Sequence, residues 1–119
     1  MSTSLYDRLG GSDRIRAIMN DTIDLHLKNP LVSPRFQNHD IAKLKQLAYE
    51  FFCMGAGGPQ TYTGRDMRTT HAGMNISEQE FIAVVDDIVA ALDKNGVGAT
   101  EKGEVIAILY SLKGEVIRV

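Results

Sequence analysis

Asp66-Met67-Arg68-Thr69-Thr70-His71-Ala72-Gly73-Met74-Asn75 sets one histidine between two methionines and closes with a glycine. Residues four apart share a helix face, so Met67 and His71 project from the same side, and Ala72 and Gly73 leave the imidazole uncrowded. A planar cofactor has room to approach such a ring. On spacing alone a lone histidine is more often structural or solvated than a ligand, so the rest of the chain has to decide.

On the C-terminal side, Ser77-Glu78-Gln79-Glu80 reads as a capping box, and Phe81, Val84, Val85, Ile88, Val89 and Leu92 follow at helical spacing until Gly96 ends the run. Thr100 is expected to cap a last helix with Val105, Ile108, Leu109, Leu112, Val116 and Ile117 on one face. On the N-terminal side, Gly55 to Gly64 is a glycine-rich loop. Before it, Asp40 caps a helix whose stripe of Ile41, Leu44, Leu47, Ala48, Phe51, Phe52 and Cys53 is broad enough to be mostly buried. Leu31 to His39, with Pro34 and Phe36, is a tight corner. Ser12 restarts a helix after Gly10-Gly11, with Ile15, Ile18, Met19, Thr22, Ile23, His26 and Leu27 inward, and Ser4 caps a brief first turn. The whole reads as all-α, one domain over residues 1–119. The long, specific connections before His71 and around Phe36 are unlike the short polar loops of a plain bundle, which implies that something occupies the space they leave.

Composition narrows the function. Thirteen basic against fifteen acidic residues, with no basic run, give no footprint for nucleic acid. Apolar runs are broken well short of the roughly 20 residues a membrane helix needs, so no membrane association is expected. Asp7 and Arg8 fall where the apolar core of an export signal would lie, which makes a cytoplasmic location the expectation. The single cysteine, Cys53, can form neither an internal disulfide nor a Cys-rich zinc site and is read as a small core residue. Phosphate-binding, hydrolase-elbow, zinc-protease and di-iron motifs are all missing. Three histidines remain. His26 lies on an apolar face as a core or boundary residue, and His39 sits at an exposed corner.

In order and spacing, Gly10-Gly11, Phe36 after Pro30, Phe51-Phe52, Gly57-Gly58-Pro59-Gln60-Thr61-Tyr62-Thr63-Gly64 and Met67-x-x-x-His71-x-Gly73-Met74 resemble the truncated hemoglobins of group I. The resemblance covers nearly the whole chain. It implies a truncated globin fold, a two-over-two helical sandwich around one non-covalent heme b, with His71 as the proximal iron ligand. It also implies that Phe36 stacks on the heme, that Phe51 walls the pocket, and that Lys43, Tyr62 and Arg68 reach the heme edge or propionates. Met67, Ile76 and Val84 complete the expected contacts.

The opposite face departs from the family pattern. Where group I members usually place an aromatic and then a tyrosine, this chain has Thr22-Ile23, and positions that often carry glutamine, lysine or a sixth-ligand histidine read Leu44, Leu47 and Ala48. The expected distal pocket of Thr22, Ile23, Leu44 and Ala48 is therefore unusually apolar. One net hydrogen bond of about 1 to 1.5 kcal/mol is worth roughly tenfold in ligand retention. Fast oxygen release follows unless Thr22, the first choice, or His26 or Tyr49 supplies a donor. The expected role is reversible binding of oxygen, carbon monoxide or nitric oxide by a monomer or weak dimer, with a separate reductase. Nitric oxide detoxification with bound oxygen, and heme-based sensing or electron transfer through a partner, are the alternatives.

Overall fold

The computed structural model describes residues 4–36 and 39–119; Gln37 and Asn38, within the expected corner, lie outside it, as do Met1 to Thr3. Element boundaries follow local chemistry. The Ser4 hydroxyl accepts from the Asp7 amide at 3.1 Å and opens α1 (Leu5–Arg8). Gly10 and Gly11 then turn the chain with φ of 104° and 78°. A Cβ on Gly10 would stand 2.8 Å from the Arg14 side chain, so both the backbone angle and the space require glycine there. Helix α2 (Gly11–Lys28) starts directly at this break. Ser12, where the sequence restarts the helix, lies in its first turn with its hydroxyl 2.5 Å from the Tyr49 hydroxyl.

Ile15, Ile18, Met19, Thr22, Ile23 and His26 form the buried face of α2, while Leu27, in its last turn, is 37% exposed. A 3-10 turn over Ser33–Phe36 makes the corner. The Asp40 carboxylate accepts from the Lys43 amide and caps α3 (Ile41–Gly55), as its sequence position predicts. A long irregular stretch leads to the short α4 (Met67–His71). The capping box at Ser77 and Glu80 is formed in full at the start of α5 (Glu78–Lys94), and Gly96, φ 74°, follows its end.

The last helix differs from expectation at both ends. Helix α6 (Ala99–Ser111) begins after Gly98, whose carbonyl accepts from the Lys102 amide, so Thr100 lies inside the first turn. It also stops before Val116 and Ile117. A second 3-10 turn, Lys113–Glu115, interrupts the run around Gly114, and Ile117 pairs with Ile76 in an isolated parallel β-bridge. Gly114 and the β-branched pair Val116-Ile117 are poor helix material, and extended pairing suits Val and Ile better.

Helix α2 lies across both α3 and α5, and α6 packs on α5, which gives the expected arrangement of two helix pairs. The core gathers Leu5, Ile15, Ile18, Met19, Tyr49, Cys53, Leu92 and Val105, and Cys53 is fully buried as expected. The stripe of α3 is less buried than its pattern suggests. Tyr49 and Cys53, four apart, make its buried row, whereas Leu44 and Phe51 are only half-buried because they face a cavity. Among the described residues, no helix is long and apolar enough to cross a membrane.

Candidate cofactor site

A cavity of about 310 Å³ opens between the Phe36 corner, α3, α4, α5 and α6. That volume falls at the lower end of the roughly 300 to 1,000 Å³ of cofactor and ligand pockets. Its walls are largely apolar: Val32 and Phe36 from the corner, Leu44 and Phe51 from α3, Phe81 and Val84 from α5, Leu109 from α6 and Leu112 just past its end. On α4, Met67, Thr70 and His71 border the same space.

The local helix sets the chemistry of His71. Its Nδ1 lies 2.7 Å from the carbonyl oxygen of Met67, one turn earlier. A carbonyl only accepts, so Nδ1 carries the proton and donates it, which leaves Nε2 with its lone pair. A histidine that ligates a metal needs this tautomer, and a hydrogen bond on the far nitrogen is what orients the ring. Among the described residues, no group of three or more His, Cys, Asp or Glu side chains gathers around a metal position.

Polar groups are confined to a few places on the wall. Arg35 is held by Glu80, Nε to Oε2 at 2.7 Å and Nη2 to Oε1 at 3.1 Å. The Arg35 guanidinium, together with the Ser77 amide and hydroxyl, keeps the Glu80 carboxyl below the usual carboxylate range. His39 and Arg65 are exposed and border the cavity as well, Arg65 bringing a guanidinium to its edge. Thr70 donates to the Arg65 carbonyl at 3.3 Å.

Seven residues expected from the sequence line this cavity: Phe36, Leu44, Phe51, Met67, His71, Ile76 and Val84. Others stand elsewhere. Tyr62 sits behind the wall, edge-on to Phe51 with ring centroids 5.1 Å apart, and its hydroxyl donates to the Arg65 carbonyl at 2.6 Å. Arg68 is exposed and points its Nη2 to the Gly114 carbonyl, 3.4 Å away, and Lys43 is exposed in the first turn of α3. Leu47 and Ala48 are half-buried and do not border the cavity, and Ala48 packs on the core.

On α2, Thr22 and Ile23 are buried but also lie outside the cavity wall. The Thr22 hydroxyl donates to the Ile18 carbonyl at 2.9 Å, one turn back in its own helix, so its proton is committed away from the cavity. His26 and Tyr49, the other candidate donors, are likewise engaged. His26 Nδ1 bonds Asp87 Oδ2 at 2.7 Å, and the Tyr49 hydroxyl meets Ser12 and Gln60.

Sequence reading missed Val32, Arg35, Arg65, Thr70, Met74 and Glu80, placed His39 at an exposed corner, and assigned Phe81, Leu109, Leu112 and Val116 to apolar helix faces without placing them at the site. Periodicity was a usable signal for the apolar ones. It marks a face turned from water, but it does not say whether protein or a cavity lies opposite. Arg35 left no local signal, because its partners are 45 and 39 residues away.

The sequence matches the family described as bacterial-like globin over residues 4–118. A group 1 truncated hemoglobin of Nostoc sp. is 30% identical over 117 residues, 98% of each chain, and one of Tetrahymena pyriformis is 31% identical over 98 residues, 79% of this chain and 78% of that one. The crystal structure of the Tetrahymena pyriformis truncated hemoglobin in its Fe(III) form superimposes with a TM-score of 0.95 at 25% identity, covering 98% of this chain and all of that one. A 2/2 hemoglobin of Synechococcus sp., described in the cyanomet state with covalently attached heme, gives a TM-score of 0.86 at 27% identity over 95% of each chain. With a family match running from the cap of α1 at Ser4 to Arg118 beyond α6, this chain belongs to the bacterial-like globins.

Proposed function

We propose that this protein holds heme b without covalent links, with His71 Nε2 as the protein's ligand to iron, and that it binds small diatomic gases reversibly. One observation carries the reading: the only histidine on α4 borders the cavity with its Nδ1 proton already given to the Met67 carbonyl, so its other nitrogen is ready to ligate. Heme b is the cofactor of the globin family, and when bound it supplies a ferrous centre for oxygen, carbon monoxide or nitric oxide. The chain's own residues fit it. Phe36, Phe51, Phe81 and Leu109 offer an apolar slot that excludes water from the ring, and Arg65 offers a cation for carboxylates at its edge.

Of the expected distal set, Thr22, Ile23, Leu44 and Ala48, only Leu44 borders the cavity, so in this reading the distal wall is apolar at Leu44 and the other three lie behind it. Thr22 and His26 give their polar hydrogens to Ile18 and Asp87, and the Tyr49 hydroxyl is engaged by Ser12 and Gln60, which supports weak retention of oxygen and disfavours nitric oxide detoxification, a reaction that needs oxygen held until a second gas arrives. The test is reconstitution with hemin. A Soret band that His71→Ala abolishes, while the variant keeps its helical far-UV spectrum, supports the reading; a colourless folded wild type, or a Soret band unchanged in His71→Ala, overturns it.

A further inference from the structure

The backbone after His71 is held from two sides by distant parts of the chain. On one side, Gly73 N donates to the Val119 carbonyl at 3.1 Å and Arg118 N donates to the Ile76 carbonyl at 3.0 Å. On the other, Arg35 Nη1 donates to the Met74 carbonyl at 2.8 Å, while Nε and Nη2 of the same guanidinium grip Glu80. Glu80 is in turn fixed as the closing residue of the capping box, its Oε1 accepting from the Ser77 amide and hydroxyl at 3.2 Å each. One planar group therefore ties together the corner that carries Phe36, the carbonyl three residues past His71, and the first turn of α5.

The held segment needs holding. Gly73 and Asn75 both have positive φ, 80° and 52°, a conformation that only glycine adopts without cost and asparagine tolerates. Arg35, Phe36, His71, Met74 and Glu80 all border the same cavity, so a shift of Met74 moves a wall of the site and the end of the short helix that presents His71.

We propose that Arg35 is a positioning residue for His71: by holding the Met74 carbonyl against the Glu80 carboxylate, it sets the seat of the ring and couples it to the corner bearing Phe36. This rests on the reading of His71 as the iron ligand. Lysine does not substitute, because a single ammonium lacks the planar fork that reaches a carboxylate and a separate carbonyl together.

The experiment uses the full chain reconstituted with hemin, in wild type, Arg35→Lys, Arg35→Met, Glu80→Gln and, as a control for a general loss of ion pairing, Arg8→Met, whose partners Glu101 and Glu104 lie away from the cavity. Two signals are read besides the melting temperature: the iron–histidine stretching band of the reduced protein by resonance Raman, and the rate of hemin transfer to an excess of a heme-accepting apoprotein. The expected result is a displaced band and hemin loss roughly five- to tenfold faster in Arg35→Met and Glu80→Gln. Arg35→Lys recovers part of the melting temperature but not the band, and Arg8→Met lowers the melting temperature alone. A wild-type band and hemin rate in Arg35→Met, or in Glu80→Gln if that variant alone folds, overturns the proposal whatever the melting temperature does. Failure of the heme reading looks different, since wild type itself then shows no iron–histidine band.

Discussion

Phe36, at the corner of the cavity, stacks on the buried ring of His26, with centroids 5.6 Å apart and planes 15° from parallel. A titratable ring thus backs an apolar wall. Burial pushes the His26 pKa below its usual 6.5, and this outweighs the opposing pull of the Asp87 carboxylate, so near neutral pH the Nδ1–H donates to Asp87 as a neutral ring.

The pH dependence follows from that direction. With the folded-state pKa below the unfolded value, the unfolded chain binds the proton more readily, so stability is full above about pH 6.5 and falls as pH drops through the window below it. His26→Gln removes the titration. Urea midpoints at pH 7.5 and 5.5 are expected to show the advantage of wild type over this variant shrinking on acidification; an advantage that grows means that the charged pair with Asp87 dominates.

Gas retention is predicted to depend on Leu44 and not on Thr22. Thr22→Val in the heme-loaded protein leaves the oxygen dissociation rate within twofold of wild type, because the hydroxyl it removes bonds the Ile18 carbonyl. Leu44→Gln puts an amide donor on the cavity wall and is expected to slow oxygen release roughly tenfold. Stopped-flow displacement by carbon monoxide measures both.

Tyr62 is predicted to act through Phe51. Tyr62→Leu loses the edge-to-face contact and the bond to the Arg65 carbonyl, and it lowers stability by about 1 to 2 kcal/mol in chemical denaturation. Tyr62→Phe keeps the ring contact and costs about 0.5 to 1 kcal/mol. An effect of Tyr62→Phe as large as that of Tyr62→Leu would place the whole contribution in the hydroxyl.

Leu92 is fully buried where α5 meets the core, so truncation there is expected to be costly. Leu92→Ala is expected to lose about 3 kcal/mol through lost transfer energy and a residual cavity, and to lose it in the heme-free protein as well, since Leu92 does not border the cofactor cavity. Urea denaturation of both forms checks this.

Short-range chemistry was what the sequence determined by itself. Ser4, Asp40 and the Ser77–Glu80 box cap the helices they were expected to cap, Gly10 and Gly96 break the chain where they stand, and Met67 and His71 share a face, because each of these depends on atoms within about one turn. Even the direction of the His71 proton follows from a residue four positions away. Tertiary structure decided where the apolar faces point and which polar groups remain available. Thr22, Ile23 and Ala48 lie on inward faces as read, yet they meet protein rather than the cavity, while Leu109 and Val116 border the cavity. Hydrophobic periodicity encodes removal from water, and water is excluded equally by a packed core and by a cofactor slot. Arg35 shows the same limit for charge: its three bonds reach Met74 and Glu80 across 39 and 45 residues, and only the folded chain brings them within 3.1 Å.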